Sequence, residues 1–261
     1  TAMVVGIGLV LAAETTMVIT TKLKKSHESS ADAIYEKIWS NPNSDSIPEL
    51  EKAPPALIIR PTRYPNSGGG VWTKKDGKGF WVNGNVNSLV GLAYTWSPVR
   101  TVFPDSLPKG NYDVMESLPD GQNAAAFKAE IQKQFGLVAH TEICDTEVFA
   151  LKIRDTRKLQ ARTSIGGRST AYMTGDNKVQ NFFFKNESLK DLANSLEGRF
   201  ERPLVDQTDS VGRYDFEFQW SSRLTGTKRV AESLREQLDR FGLELVPSRE
   251  PIEMLIVEKV K

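Results

Sequence analysis

The stretch Gly212-Arg213-Tyr214-Asp215-Phe216 repeats the pattern of Gly110-Asn111-Tyr112-Asp113-Val114, which lies 102 residues earlier. Matching stretches flank this pair on both sides. Asn87-Ser88-Leu89 recurs 100 residues later as Glu187-Ser188-Leu189, and Phe135-Gly136-Leu137 recurs 106 residues later as Phe241-Gly242-Leu243. Because the order is kept and the distance grows gradually, as loop insertions would make it, we infer that one ancestral unit was duplicated. Two copies form a pseudo-symmetric pair and not a solenoid.

Each copy has the pattern of strand, helix, strand, strand, helix, strand, strand. In the second copy, Ser188 is placed to cap a helix, and Tyr214–Phe218 alternates as a half-buried strand does. Each copy is expected to close with two short strands: Leu137–Thr141 and Glu147–Ile153 in the first, Leu243–Val246 and Ile252–Val257 in the second. The predicted fold class is α+β, with two tandem pseudo-symmetric α/β repeat units, antiparallel sheets and a preceding N-terminal hydrophobic helix.

The predicted domain organisation has five parts. Residues 1–25 form a transmembrane anchor or signal segment, and residues 26–55 form a polar linker punctuated by prolines. The first repeat unit covers residues 56–153 and the second covers residues 182–261. Residues 154–181 between them, rich in Thr, Arg and Gly, are predicted to be a flexible connection.

The N-terminal segment is directed to a membrane. An apolar run from Ala2 to Ala13 is followed by Glu14, and the segment ends at the lysines that begin with Lys22. Ala2 to Thr21 would reach roughly 30 Å as a helix, which is enough to span a bilayer. The uninterrupted part also suits the apolar region of a signal peptide, and a buried helix of a soluble protein is the third interpretation; all three stay open. Because the sequence begins at Thr1, we expect a region upstream of it.

Composition excludes several classes of function. Across 261 residues, 34 Lys and Arg stand against 33 Asp and Glu, so no global charge attracts nucleic acid. One cysteine, Cys144, excludes an intramolecular disulfide and a cysteine-rich metal site. The two histidines, His27 and His140, lie in no recognisable ligand or nucleophile motif. We therefore predict no metal, no cofactor, no nucleic-acid partner and no catalytic residues.

The repeated Tyr112-Asp113 and Tyr214-Asp215 are candidate binding positions. A tyrosine and an aspartate at a strand start more often supply a packing ring and a carboxylate that accepts nearby backbone N–H groups. The alternative is that Asp113, Asp215 or Glu217 meet in a cleft as catalytic carboxylates.

A second candidate lies in the glycine-rich excursion from Gly68 to Gly79. Trp72 and Lys74 within it, and Trp81 two residues after it, have the chemistry to stack against a glycan and to neutralise an anionic polymer. The excursion lacks the Gly-Lys-Ser/Thr ending that a phosphate-binding P-loop needs. A solvated hairpin is the competing interpretation.

The combination of motifs resembles an uncharacterised soil-associated bacterial family, known from acidobacteria and verrucomicrobia, that carries a domain of unknown function. The resemblance covers roughly Ala56 to Lys261, and its members are typically exported or membrane-anchored. No catalytic residues are established for it, so the resemblance implies none here. This sequence departs from the family's usual turn at Asp209-Ser210-Val211. The matching stretches are Arg202–Asp206, Gly212–Phe216, Glu236–Leu238, Phe241–Leu245 and Pro251–Val257, with Leu92–Tyr94, Tyr112-Asp113 and Glu147–Leu151 in the first copy.

The sequence thus favours a non-catalytic, membrane-tethered extracytoplasmic module for binding or signalling. Its predicted partner is a protein or an envelope polymer, with the N-terminal segment contacting the membrane or cleaved on export. The alternative is a carboxylate-based hydrolase or glycan-processing enzyme of the cell envelope.

Overall fold

The computed structural model of the chain describes residues 32–72, 78–119, 122–176, 178–221 and 227–260, without the side chains of residues 44, 71, 72 and 227. Within these ranges the protein has seven α-helices and eleven strands, so the mixed α+β class is confirmed. The predicted anchor or signal segment, residues 1–25, lies outside the described ranges. No helix within those ranges has the length and apolarity needed to cross a membrane.

The elements follow one another along the chain with short connections. The helices are α1 (residues 32–40), α2 (Ile47–Lys52), α3 (Val86–Tyr94), α4 (Asn123–Phe135), α5 (Thr156–Gln160), α6 (Leu189–Glu197) and α7 (Thr227–Arg240). The strands are β1 (Leu57–Pro61), β2 (Gly69–Trp72), β3 (Gly79–Asn85), β4 (Thr101–Val102), β5 (Asn111–Glu116), β6 (Leu137–Ile153), β7 (Thr170–Gly175), β8 (Val179–Glu187), β9 (Leu204–Asp206), β10 (Tyr214–Ser221) and β11 (Leu243–Lys259).

The chain divides into two compact units. Among the described residues, the first contains those from 32 to Tyr94 and Ser106–Gly136, and the second contains those of Thr95–Asp105 and of 137–260. This division reflects compactness alone, so the boundaries proposed for the repeat units at 56–153 and 182–261 stay a prediction.

The first unit is built on an antiparallel sheet in the order β1-β5-β3-β2. Residues 32–55, predicted to belong to a linker, instead form α1, α2 and part of this unit's core. Ile38, Trp39 and Leu50 are buried there against Phe80 and Met115. The prolines that suggested a linker do not prevent this, because the proline in the first turn of α2 lacks only an N–H that a helix start leaves unpaired.

The second unit contains two sheets. One is antiparallel in the order β10-β8-β7, and the other has the order β4-β11-β6-β9. The apolar faces of α6 and α7 contribute to a core that includes Phe184, Phe216 and Phe218. Residues 154–181, predicted to be a flexible connection, hold α5 and β7 and the beginning of β8, because backbone pairing with β8 and β10 orders this stretch.

Strands β6 and β11 form a ribbon in which all 17 residues of one strand oppose the 17 of the other. The sequence predicted two short strands in each place. The prolines of β11 do not interrupt it, because proline is tolerated where its nitrogen faces an open edge. Among the described residues, β4 pairs with β11 only at Leu255 and Ile256, away from Pro247 and Pro251.

The helix cap predicted at Ser188 is confirmed, and two glycines lie at the ends of other helices. Ser188 caps α6, and its Oγ accepts the backbone N–H of Asp191 at 3.1 Å. Gly136 and Gly242 follow the ends of α4 and α7 with φ of 64° and 83°. These left-handed residues stop their helices and turn the chain into β6 and β11.

Replacing each of these two glycines by alanine separates the cost of left-handed backbone strain from the cost of steric overlap with neighbouring atoms. At Gly136 an added Cβ meets open space, so Gly136→Ala should cost only the left-handed backbone strain, about 1 kcal/mol. At Gly242 the Cβ would overlap the carbonyl oxygen of Asp155 and crowd Lys158, so Gly242→Ala should cost about 2 kcal/mol or slightly more. Urea denaturation of both variants measures the difference, and equal costs would contradict the packing argument.

Candidate functional site

Asp113 lies at the centre of a buried hydrogen-bond cluster in the first unit. Its side chain is 0 % exposed. Its carboxylate accepts the hydroxyl of Thr62 at 2.7 Å and the backbone N–H groups of Arg63 at 3.0 Å and Asn83 at 3.1 Å. The guanidinium Nε of Arg60 lies 3.7 Å away. The donors occupy the carboxylate, so its observed role is to hold the chain around it.

Asp215 makes a similar but more exposed set of contacts in the second unit. Its carboxylate accepts the backbone N–H of Asn186 at 2.8 Å, and the ammonium group of Lys185 lies 3.7 Å away. The backbone N–H of Asn186 is the main reason that the pKa of Asp215 lies below its usual value. The carboxylate is therefore charged at neutral pH.

The two aspartates fix residues with unfavourable backbone angles. Asn83 and Asn186, whose N–H groups they accept, have φ of 58° and 53°, in the left-handed region. A carboxylate that accepts the N–H of such a residue compensates part of its strain. These contacts favour the structural interpretation of both Tyr-Asp pairs over a ligand site.

The tyrosines of the two pairs pack against the protein. The ring of Tyr112 makes an edge contact with Phe135, with centroids 4.9 Å apart. Tyr214 is buried, and its hydroxyl shares a hydrogen bond of 2.8 Å with Ser210. Neither ring is placed as an open binding platform.

The carboxylates suggested for catalysis are divided between the two units. Asp113 is enclosed in the first unit, while Asp215 and Glu217 belong to β10 of the second unit. Glu217 is exposed, on the strand face opposite the buried Phe216 and Phe218. Within the described ranges, no three His, Cys, Asp or Glu side chains form a group able to hold a metal ion.

The candidate site of Trp72, Lys74 and Trp81 lies only partly within the described residues. Trp81 is half-buried in β3, and its ring lies so close to Gly70 and Gly84 that a side chain at either position would crowd it. This ring is therefore engaged in packing. The backbone of Trp72 pairs with Gly79, while its side chain and all of Lys74 lie outside the described residues.

A pocket in the second unit was not found from the sequence. It is built around Arg100, at the end of the 3₁₀ turn Pro98–Arg100, and Glu197, at the end of α6. The Nε of Arg100 donates to Glu197 Oε2 at 2.8 Å, and its Nη2 donates to the carbonyl of Leu204 at 2.8 Å. Glu197 is 4 % exposed and also accepts the N–H of Leu204 at 3.0 Å.

These contacts hold the guanidinium in a fixed orientation. Its Nη1 makes no hydrogen bond within the described part of the chain, and the Arg100 side chain keeps 23 % of its surface exposed. Trp96 supports the same turn, because its indole Nε1 donates to the Arg100 carbonyl at 2.9 Å. Arginine fixed in this way is prepared to bind a carboxylate or another anionic oxygen.

The pocket has a volume of about 440 Å³ and a mixed polar and aromatic lining. Thr95, at its rim, has a φ of 52°, which is an outlier for a β-branched residue and a feature that clusters at functional sites. The lining residues are Thr95, Trp96, Ser97, Arg100, Asn194, Glu197 and Glu253. The Nη1 of Arg100 suits an acidic group of a ligand, while the hydroxyls, the amide, the indole ring and the carboxylates of Glu197 and Glu253 suit its hydroxyl groups.

Sequence inspection missed this pocket because its parts are distant along the chain. Arg100 and Glu197 are 97 residues apart, and neither stands in a motif. The only local hint was the run Trp96-Ser97-Pro98-Val99-Arg100, in which an aromatic and a basic residue flank a proline turn.

Comparison with known proteins gives a family and no activity. Residues 87–260 match the family described as "Protein of unknown function (DUF3738)", which is two thirds of the chain and includes the whole lining of the pocket. No protein with a curated description and no solved structure matches the chain. Because the match extends over well more than half of the sequence, the chain belongs to the DUF3738 family of proteins of unknown function.

Proposed function

We propose that the protein is a non-catalytic binding module whose pocket around Arg100 takes an acidic, hydroxyl-bearing group of an envelope polymer. The observation that carries this proposal is the fixed guanidinium of Arg100, with two of its nitrogens held by Glu197 and Leu204 and the third left for a ligand. A side chain that is already ordered loses little entropy when the ligand binds.

The state of Glu197 argues for binding over catalysis. Its Oε2 accepts both the Nε–H of Arg100 and the backbone N–H of Leu204, so this oxygen is engaged in holding the arginine and the start of β9. A catalytic carboxyl group must instead reach a proton of the substrate. A hydrolase remains the second candidate, because Glu253 lines the same pocket as Glu197 and supplies a second carboxylate.

We also propose that the chain is a duplicated unit, and the strand register supports this. Adding 106 to the bounds of β6, Leu137–Ile153, gives Leu243–Lys259, which are the bounds of β11. The short strands follow the same rule. β4 runs parallel to β11 at Leu255, and β9 runs parallel to β6 at Phe149, which is 106 residues before Leu255.

The proposed place of the module is outside the cytoplasm, tethered by residues 1–25 or released by cleavage of that segment. The support is the apolar run of the sequence together with the exported character implied by the resemblance. Protease accessibility of the intact chain in spheroplasts tests this location. Protection until the cells are lysed would overturn it.

The variant Asn194→Asp tests the pocket directly. Asn194 is an exposed lining residue, so the change should leave folding intact while it places a negative charge beside the site of the ligand. Calorimetric titration of the full chain with glucuronic-acid oligosaccharides should show at least a tenfold loss of affinity. A neutral glucose oligosaccharide should show no such change.

The matched control is Arg202→Gln, which removes a surface arginine that is paired with Glu147 at 2.9 Å outside the pocket. It should bind both probes as the natural chain does. If both variants weaken binding of the acidic oligosaccharide equally, the loss reflects the overall charge of the protein. That result would contradict binding in the pocket. Turnover of an oligosaccharide that is lost in Glu253→Gln would support the hydrolase instead.

A further inference from the structure

Strand β7 forms an unusually bare edge of the sheet β10-β8-β7. It pairs with β8 on one side, and no described strand pairs with its other side. All six of its residues are exposed, and its sequence Thr-Ala-Tyr-Met-Thr-Gly contains neither a charge nor a proline. Proteins normally protect such edges with lysine, proline, bulges or a covering segment, since a bare edge is a template for pairing with another strand.

The side chains of β7 add apolar surface to the open backbone. Tyr172 and Met173 keep 47 % and 50 % of their surface exposed. The ring of Tyr172 already stacks on Phe183 of β8, with centroids 5.0 Å apart and planes 20° from parallel. The ring is therefore held in place beside the open edge, and it loses little freedom when a partner arrives.

We propose that β7 pairs in antiparallel orientation with β7 of a second copy of this chain, about a two-fold axis at Tyr172. The two sheets then form one continuous sheet in which β7 and its equivalent are the central strands. The same patch is used by both copies, as two-fold dimers require. The backbone N–H and C=O groups of the two edges satisfy each other, as in other cases of strand addition.

The charges that flank β7 select this register. With Tyr172 on the axis, Arg168 of each copy lies opposite Asp176 of the other, and Thr170 lies opposite Thr174. The backbone N–H of Val179 is the main reason that the pKa of Asp176 is below its usual value, so this residue is charged at neutral pH. Opposite charges across antiparallel strands are stabilising.

Neighbouring registers lose this complementarity. An axis at Ala171 sets Asp176 against Gly166 and leaves both charges without a cross-strand partner. An axis at Met173 sets Arg168 against Lys178, which are like charges. The sequence around the edge therefore favours one self-pairing and disfavours the adjacent ones.

Disulfide trapping tests the axis. In a Cys144→Ser background, Tyr172→Cys places two cysteines opposite each other at a Cα separation of about 4.5–5.5 Å, which suits a disulfide. Met173→Cys is the matched control, since it is equally exposed but lies off the axis. We expect the full chain in detergent to form the Tyr172→Cys dimer at least tenfold faster than the Met173→Cys dimer. Equal rates, or no cross-linking of either, would overturn the proposal.

A pair of charge variants tests the pairing of β7 without introducing a disulfide bond. Thr170→Glu with Thr174→Lys places opposite charges across the axis, whereas Thr170→Glu with Thr174→Glu places like charges there. Sedimentation velocity of the full chain should give a dimer for the natural and Glu/Lys chains and at least a tenfold weaker dimer for the Glu/Glu chain. A dimer that all three retain equally would assign self-association to another surface, and a monomer in all three would exclude it.

Discussion

Replacement of Asp113 by alanine is expected to lower the free energy of unfolding by about 3–5 kcal/mol, because it removes the acceptor of a fully buried cluster. Three donors lose their partner at once: the hydroxyl of Thr62 and the backbone N–H groups of Arg63 and Asn83. Arg60 is affected as well. Its Nε and Nη2 are buried without a hydrogen bond in the described chain, and Asp113 is the anion nearest to its Nε.

The matched variant is Asp215→Ala in the second unit. That carboxylate accepts the corresponding N–H of Asn186 but its side chain is 35 % exposed, so water can replace much of what is lost. We expect a cost of about 1 kcal/mol. Urea denaturation followed by circular dichroism and tryptophan fluorescence measures both. If the two variants cost the same, burial does not decide the role of these aspartates.

The comparison also separates what the sequence predicts about these aspartates from what it does not. Their position after a glycine and a tyrosine at a strand start indicates a carboxylate that accepts backbone N–H groups, and both aspartates make such contacts. How deeply each aspartate is buried depends on tertiary structure. The same motif is enclosed in the first unit and partly open in the second because different segments cover it, and no local pattern encodes that cover.

The helix ends could be predicted because they depend on neighbouring residues alone. Ser188 caps α6, and Gly242 ends α7. The helices of residues 32–55 and their burial in the core could not be predicted from neighbouring residues. Its prolines and polar residues are typical of a linker, yet Trp39 is buried and lies under the guanidinium of Arg60 at 4.0 Å, a residue outside the segment.

The proposed duplication also identifies Glu116 as a buried carboxyl group. The distance of 102 residues that relates the two Tyr-Asp pairs also relates Glu116 to Phe218. Phe218 is 0 % exposed and lies in the aromatic core of the second unit, and Glu116 is 4 % exposed in the first. Under the proposed duplication, a glutamate at the position that corresponds to a core phenylalanine predicts a buried carboxyl group from the sequence alone.

This buried glutamate should make the stability of the protein depend on pH in an unusual direction. Burial raises the pKa of Glu116 from 4.5 to about 7, and its Oε1 has no hydrogen-bond partner in the described chain. β5, which carries it, pairs with β1 on one side and β3 on the other, so water has little access. The folded protein therefore keeps a proton on Glu116 at pH values where the unfolded chain releases it.

The direction of this pH dependence follows from the linkage between protonation of Glu116 and folding. The contribution of Glu116 is fully present below pH 4.5, falls as the pH rises towards 7, and stays lost above that value. The difference between the two pKa values corresponds to roughly 3 kcal/mol. Glu116→Gln cannot lose a proton, so it should match the natural chain at pH 4.5 and exceed its stability by about that amount at pH 8.

Urea denaturation at half-unit steps from pH 4.5 to 8.5 measures the two curves. Glu51→Gln is the control, because it removes an exposed glutamate from the same unit and should give a curve parallel to that of the natural chain. Curves for Glu116→Gln and the natural chain that stay parallel across this range would mean that the carboxyl group finds a partner or water when it ionises. In that case the position would tolerate a charge, and the core of the first unit would be more open around β5 than its burial implies.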